Sequence, residues 1–329
     1  MVRTNDLSIV FFGVGSIGQR HIQNLKSLGV GKVYVYDPNP DLVDEVSKKH
    51  EVVPVNKDDL WSNKYDVAFI TNPNSLHLDT ALEAAKHGCH LFIEKPLATS
   101  MEGLGELAEL VREKNLITIV GCNMRFHPGP KKVKQLLDEQ TIGRILSGHV
   151  ELGSFLPSWR PWQDYKQSYS ARKDLGGGCV LDCIHEIDLA CWYFGIPEDV
   201  KSYTFNTGFI GIECEDTSDI LMKFEDGFSC FVHIDYIQQT NERKCRIVGE
   251  KGTIWWDINK QEVTLYIAED KTYVTYSHPV NYDINQMYID EVRHFLDCVL
   301  KKEQTDNNIY DAEEILRVAF KVKEDSGLI

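Results

Sequence analysis

Long apolar runs are missing from this 329-residue chain; none approaches the ~18 consecutive residues that a membrane-spanning helix needs, so no membrane partner is expected. Positive charge is also scarce. Lys and Arg number 35 against 50 Asp and Glu, a net charge of −15, and a nucleic acid needs a positive field to bind. The nine cysteines form no pairs: they are odd in number and scattered singly, among them Cys89, Cys122, Cys179, Cys183 and Cys191, with no metal-type spacing. They read as buried thiols in a reducing cytoplasm, and no metal site is expected. Residues 1–6 lead straight into the strand-like run Leu7–Phe12, without a secretory pattern. No repeat or low-complexity tract interrupts the chain. What remains is globular, at 43% apolar and 26% charged residues, and long enough for two domains.

Through the first 120 residues, short apolar runs alternate with longer amphipathic stretches. The runs are Ser8–Phe12, Val33–Tyr36, Val67–Thr71, His90–Ile93 and Ile117–Cys122, and helical patterns such as Ile17–Leu28, Leu76–His87 and Leu104–Lys114 separate them. That alternation predicts βαβ units and an N-terminal Rossmann domain, a doubly wound parallel sheet, over residues 1–124. From residue 125 to 329 the pattern predicts a second α/β domain. A helix over Pro130–Glu139 precedes a strand over Ile145–Leu152, an aromatic loop from Gly153 to Leu175, and a helix running to Phe194. Alternating strands from Val200 to Tyr276 then imply a mostly antiparallel sheet with one buried face. Helices near Ile284–Lys301 and Ala312–Lys323 close the chain.

The first strand runs directly into Gly13-Val-Gly15-Ser16-Ile17-Gly18. Here Gly13 permits a tight turn, Gly15 lets backbone approach a pyrophosphate, Gly18 lets helix and strand pack closely, and the helix-start N–H groups at Ser16 and Ile17 face the phosphate. Asp37 ends the second run, 24 positions after Gly13. A carboxylate there accepts from ribose hydroxyls and repels a 2′-phosphate, so NAD is the expected cofactor and NADP is disfavoured. In the alternative reading, Asp37 opens a turn with Pro38 and Asn39.

Two strand ends on the cofactor side carry polar clusters. One is Thr71-Asn72-Pro73-Asn74 with His77, whose members either contact cofactor or, for Asn74 and Ser75, cap the next helix. The other is Glu94-Lys95-Pro96. Ligands bind beyond the carboxyl ends of such strands, where the Lys95 ammonium stabilises a reacting oxygen. Asn123 and Arg125, after the run ending at Cys122, are candidates for the same site or for a cap at the domain junction. Further on, Gly176-Gly-Gly178 precedes a helical stretch with Asp182 and His185 at i and i+3 on one face, and an apolar stripe of Ile184, Ile187 and Cys191 turned elsewhere. A histidine beside a carboxylate suits proton transfer near neutral pH; a structural histidine is the rival reading.

These pieces together resemble the Gfo/Idh/MocA (glucose–fructose oxidoreductase and inositol dehydrogenase) family along the whole chain. The resemblance rests on the glycine turn, Thr71–Asn74 with His77, Glu94-Lys95-Pro96, Gly176–Gly178 with Asp182, His185 and Asp188, and Arg246-Ile-Val-Gly249-Glu-Lys-Gly252-Thr-Ile254. It implies a large open sheet in the second domain whose outer face joins copies into homodimers or homotetramers. It also implies hydride transfer at a hydroxyl-bearing carbon of a sugar, inositol or nucleotide sugar. Lys95 matches the family's catalytic lysine, His185 its acid/base and Asp182 a substrate-site carboxylate. Many members carry three residues between that Asp and His; here only Cys183 and Ile184 intervene. The aromatic loop, with Arg160, Trp162, Tyr169 and Arg172, suits sugar rings and an anionic group. It looks like members connected with bacterial surface-sugar synthesis, and a loop packed by its own aromatics is the alternative. Two other functions fit the same resemblance: a glycoside hydrolase that recycles tightly bound NAD, and a non-enzymatic sensor of sugar or dinucleotide, which would need neither Lys95 nor His185.

Overall fold

Strand β1 (Ser8–Phe12) buries its last four residues, as a strand covered on both faces must. The computed structural model describes residues 4–329 and places β1 inside a six-stranded sheet with β2 (Lys32–Tyr36), β3 (Val53–Pro54), β4 (Val67–Ile70), β5 (His90–Glu94) and β6 (Thr118–Gly121). Every pair is parallel and the order is β3-β2-β1-β4-β5-β6. The chain winds outward from β1 to β3 and then returns to β4 on the other side, so the switch point where such sheets bind ligands lies between β1 and β4. Helices α1 (Ser16–Ser27), α2 (Pro40–His50), α3 (His77–Lys86) and α4 (Leu104–Lys114) make crossovers. The apolar periodicity does not anticipate β3: both its residues are exposed, and Pro54 sits on the edge strand, where proline is tolerated.

Three phenylalanines in register bind the middle of this sheet. Phe11 stacks on Phe69 at 4.7 Å and Phe69 on Phe92 at 4.5 Å, with Phe295 edge-on to both Phe69 and Phe92. Each ring is fully buried, worth roughly 1.5–3 kcal/mol relative to exposure. Phe295 belongs to a returning segment. The residues form two compact units, one taking the chain up to Asn123 together with Asn285–Glu313, the other Met124–Ile284 with Glu314–Ile329. A single cut between 124 and 125 therefore does not describe the division. The returning segment also lines the outer edge of β6: Thr305 Oγ1 donates to the Thr118 carbonyl (2.6 Å), Val120 N to the Asn307 carbonyl (2.8 Å), Asn307 Nδ2 to the Val120 carbonyl (2.8 Å) and Ile309 N to Thr118 Oγ1 (3.1 Å).

The second unit holds α5 (Pro128–Asp138), β7 (Ile145–Phe155), α6 (Cys179–Asp182), α7 (His185–Phe194), β8 (Asp199–Phe205), β9 (Thr217–Lys223), β10 (Ser229–Asp235), β11 (Ile237–Gly249), β12 (Gly252–Asp257), β13 (Glu262–Ile267) and β14 (Thr272–Ser277). Its eight strands run in the order β14-β13-β12-β11-β7-β10-β9-β8, antiparallel except for the β7–β10 pair. β8 and β9 alternate buried and exposed residues, the mark of a sheet with one covered face, and Tyr203, Leu221, Phe231 and Tyr273 stand on the uncovered one. The chain closes with α8 (Asn285–Lys301) and α9 (Ile309–Asp325). Among the described residues, no helix is long and apolar enough to cross a membrane.

One expectation about this unit is corrected. The stretch from Cys179 to Phe194 is two helices rather than one, because Cys183 leaves helical geometry (φ −97°, ψ 35°). Asp182 therefore ends α6 and His185 begins α7, and their proximity does not follow from i, i+3 spacing on a continuous helix. Each half has its own anchor: Tyr236 holds Asp182, while half-buried Arg243 and buried Arg125 hold α7 through Glu186 and Asp188.

Candidate active site

In the first unit the glycine turn is built for close approach. Gly13 adopts φ +93°, and a Cβ there would sit 2.6 Å from the Asn72 backbone; a Cβ on Gly18 would sit 2.4 Å from the Gly13 carbonyl oxygen. At Gly15 nothing lies within 4 Å of a Cβ position, so space opens beside the turn. No side chain caps α1. The N–H groups of its first turn, from the exposed Ser16 and half-buried Ile17 onward, are thus unclaimed by a cap and suit a phosphate. Asp37 accepts from Val14 N (3.1 Å) and Asn39 N (3.0 Å). The turn reading of this residue is what these bonds show; a carboxylate with about four acceptor positions keeps capacity for a diol besides. These residues fit a dinucleotide.

The other cofactor-side candidates mostly hold the loops themselves. Thr71 is buried and its hydroxyl donates to the Gly13 carbonyl (2.6 Å); Asn72 Nδ2 donates to Thr80 Oγ1 (2.8 Å). Pro73 is exposed, Asn74 buried, and Asn74 starts a 3-10 turn without giving a side-chain cap. His77, read as a cofactor contact, is buried with Nδ1 2.7 Å from the Pro96 carbonyl and Nε2 3.0 Å from the Asn72 carbonyl. Both ring nitrogens face backbone carbonyls, so His77 is a strut between the ends of β4 and β5; burial lowers its pKa, and the neutral ring it favours donates to one of the two.

Glu94 likewise turns inward. It is buried, its Oε1 lies 2.7 Å from His21 Nε2, and its Oε2 accepts the Lys95 N–H at 3.3 Å. Lys95 is half-buried at the carboxyl end of β5, and the Lys95–Pro96 peptide is cis. Asn123 is buried in the 3-10 turn after β6.

In the second unit, Asp182 and His185 are both buried, and Tyr236, itself fully buried, donates its hydroxyl to Asp182 Oδ2 at 2.9 Å. Burial, with the Asp182 charge, pushes the Tyr236 hydroxyl well above its ordinary pKa. Trp159 packs edge-on against Tyr236 and donates its Nε1 hydrogen to Ser154 Oγ (2.6 Å). Arg125, a substrate candidate, is instead buried on α7: its Nε lies 3.0 Å and its Nη2 2.7 Å from the Asp188 carboxylate, which is wholly inaccessible. Arg243 Nε lies 2.8 Å from Glu186 Oε1, and burial raises the Glu186 pKa over the opposing pull of that guanidinium.

The aromatic loop folds as successive 3-10 turns, and its arginines pair within it. Arg160 Nη2 donates to Tyr169 Oη (3.3 Å) with the guanidinium over the ring, and Arg172 pairs with Asp174 in an exposed bridge. Trp162 is 78% exposed. The loop thus carries one uncommitted aromatic face.

Family models decide the assignment. The model for an oxidoreductase family with an NAD-binding Rossmann fold matches residues 7–122, and the model of the GFO/IDH/MocA C-terminal domain matches residues 131–255. The chain belongs to the Gfo/Idh/MocA oxidoreductases. It is an NAD-binding enzyme of that family, with the Rossmann sheet and open antiparallel sheet described above.

Among its relatives, the myo-inositol 2-dehydrogenase of Thermotoga maritima is 26% identical over 280 residues, 80% of this chain and 79% of that protein. The 2,7-anhydro-N-acetylneuraminate hydratase of Escherichia coli is 28% identical over 263 residues, 78% of this chain and 69% of that protein; for the enzyme of the same name from Mediterraneibacter gnavus, the match reaches 55% of the protein's length. The solved levoglucosan dehydrogenase, in complex with NADH and levoglucosan, shares the fold at a TM-score of 0.88, with 20% identity over 98% of this chain and 97% of that one.

Sequence reasoning missed His21 and Tyr236. His21 had a legible signal: it falls on the apolar face of α1 with Gly18, Ile22 and Leu25. Tyr236 had none, since its partner lies 54 residues earlier.

Proposed function

We propose that this Gfo/Idh/MocA enzyme is an NAD-dependent dehydrogenase acting on a hydroxyl-bearing carbon of a sugar, inositol or nucleotide sugar in the cytoplasm. The observation that carries the reading is Lys95. Its ammonium stem leaves the carboxyl end of β5 in the NAD-binding unit, and its main chain is held by Glu94 before it and by His77 on Pro96 after it. A cation so fixed hydrogen-bonds the reacting oxygen and stabilises it as charge develops. His185 takes the hydroxyl proton, and Asp182, steadied by Tyr236, orients the substrate and the imidazole. Bound NAD supplies the hydride acceptor. Asp37 favours NAD over NADP by repelling a 2′-phosphate. Trp162 offers a face for a sugar ring, a surface-sugar precursor being one candidate. The aromatic residues on the uncovered side of the eight-stranded sheet support pairing with a second copy.

A second reading is favoured by the hydratases among the relatives. Adding water involves no net oxidation, so an NAD-binding enzyme doing so must return its cofactor unchanged at each turnover. One experiment separates the two: NADH formation by purified protein with NAD and a panel of sugars, inositols and nucleotide sugars, beside Lys95→Ala. Net NADH on one substrate class, lost in Lys95→Ala, supports the dehydrogenase. Product without net NADH supports the recycled cofactor. Neither product nor NADH from any member of the panel, with wild type and variant alike, favours a sensor and sinks both enzymatic readings.

A further inference from the structure

Helix α1 carries an imidazole where an aliphatic residue would suffice. Gly18, Ile22 and Leu25 are buried on the inner face of this helix, and His21 is fully buried among them, its ring edge-on to Phe92 and tilted against Phe69. A leucine would fill this volume without a polar atom to satisfy. The ring's polar partner is Glu94, whose Oε1 lies 2.7 Å from Nε2. That carboxylate is equally unusual at the inner end of a parallel strand, and the sheet makes room for it: a Cβ on Gly121 of β6 would sit 3.2 Å from the same oxygen. Its second oxygen accepts the Lys95 N–H. One carboxylate thus joins the helix that starts at the glycine turn to the main chain of Lys95.

The charged and titratable groups facing Glu94 are His21 on α1, Lys95 on its own loop, His77 at the start of α3 and Tyr288 on α8. Burial works to push the Glu94 carboxyl up. The His21 hydrogen bond, together with the charges of His21 and Lys95, outweighs it and holds the group below the usual carboxylate range.

We infer that His21 is a positioning residue for Lys95: through Glu94 it fixes the Lys95 main chain and keeps an ionised carboxylate at the base of that lysine. The inference rests on the proposed role of Lys95. A lysine that stabilises a reacting oxygen works only while it is a cation, and a buried carboxylate stays ionised only while it has a donor. The donors to Glu94 are His21 Nε2 at Oε1 (2.7 Å) and the Lys95 N–H at Oε2 (3.3 Å), and His21 is the side-chain one. Because it lies on α1, the element that presents the phosphate-binding turn also sets the lysine.

The test uses the full-length protein and three variants. His21→Leu removes the donor and keeps the volume, His21→Gln keeps an N–H at similar reach, and Glu94→Gln removes the charge alone. Two readouts do not depend on turnover: NAD binding by fluorescence titration, and the pH dependence of Lys95 modification by an amine-reactive reagent, followed by peptide mass spectrometry. We expect the midpoint of Lys95 modification to fall by roughly one pH unit in His21→Leu and Glu94→Gln, as loss of a nearby opposite charge requires. In His21→Leu, kcat should drop about tenfold or more while KM for NAD changes by less than about threefold, and His21→Gln should recover most of both effects. An unchanged midpoint in a folded His21→Leu, or identical behaviour of Leu and Gln at position 21, would overturn the inference. If His21→Leu does not fold, Glu94→Gln decides by the same midpoint. Should Lys95→Ala keep full activity, the proposed function fails instead, whatever the modification profile shows.

Discussion

Arg125→Met tests whether the guanidinium beside α7 holds the protein or the substrate. The Asp188 carboxylate is wholly inaccessible and the Arg125 side chain is 6% exposed, with Nε and Nη2 at 3.0 and 2.7 Å from its oxygens. Removing one member of such a pair leaves a buried charge unmatched, at a cost of about 3–5 kcal/mol. The guanidinium also stands 5.6 Å over the Trp192 ring, a contact worth about 0.5–1 kcal/mol. A destabilisation of about 5 kcal/mol follows. In a unit of this size, each kcal/mol moves the midpoint by roughly 2–4 °C, so the calorimetric transition should fall by roughly 10–20 °C. Arg125→Met combined with Asp188→Leu removes both charges and should regain most of that loss. Scanning calorimetry and urea unfolding report the stability, and KM of the surviving enzyme reports substrate binding. If Arg125→Met unfolds within about 1 kcal/mol of wild type while KM rises tenfold or more, Arg125 serves the substrate and the structural argument is wrong.

Asp37→Ser should weaken NAD binding roughly tenfold, the scale of one lost charged hydrogen bond, and raise the relative use of NADP; equal NAD affinity in both proteins would remove Asp37 from the cofactor site. His233 concerns pH. Its hydrogen bonds to Asp235 and Asp219 raise its pKa from 6.5 to about 9 against partial burial. A group raised on folding contributes fully below 6.5, and that contribution is lost as pH climbs through about 9. Urea midpoints should accordingly decline across that window and flatten in His233→Asn; an equally steep decline in the variant would assign the effect elsewhere.

The parallel sheet was legible because strands covered on both faces must be apolar throughout, and Ile9–Phe12 and Val67–Ile70 are. Local pattern failed wherever the deciding partner lay far along the chain. Asp182 at the end of α6 is held by Tyr236, 54 residues away, and Arg125 by Asp188, 63 residues away. A guanidinium near a strand end reads as an anion contact until its internal carboxylate is seen. The backbone contacts of His77 were equally out of reach, its partners being carbonyl oxygens that carry no side-chain signal. The short strand Val53–Pro54 escaped notice because neither residue is buried. Lys95 was legible by position alone: a cation at a strand's carboxyl end, ahead of a proline.

The strip of residues 305–309 along β6 has a consequence for how the protein is made. An unpaired strand edge accepts whatever other strand it meets. The first 123 residues emerge from the ribosome well before the strip that seals them, and at 5–20 residues per second the gap lasts roughly 10–40 s. Throughout that interval the nascent nucleotide-binding half has an open border. Its completion waits until about 180 further residues have been made, and a fragment ending at 123 would carry the exposed edge permanently.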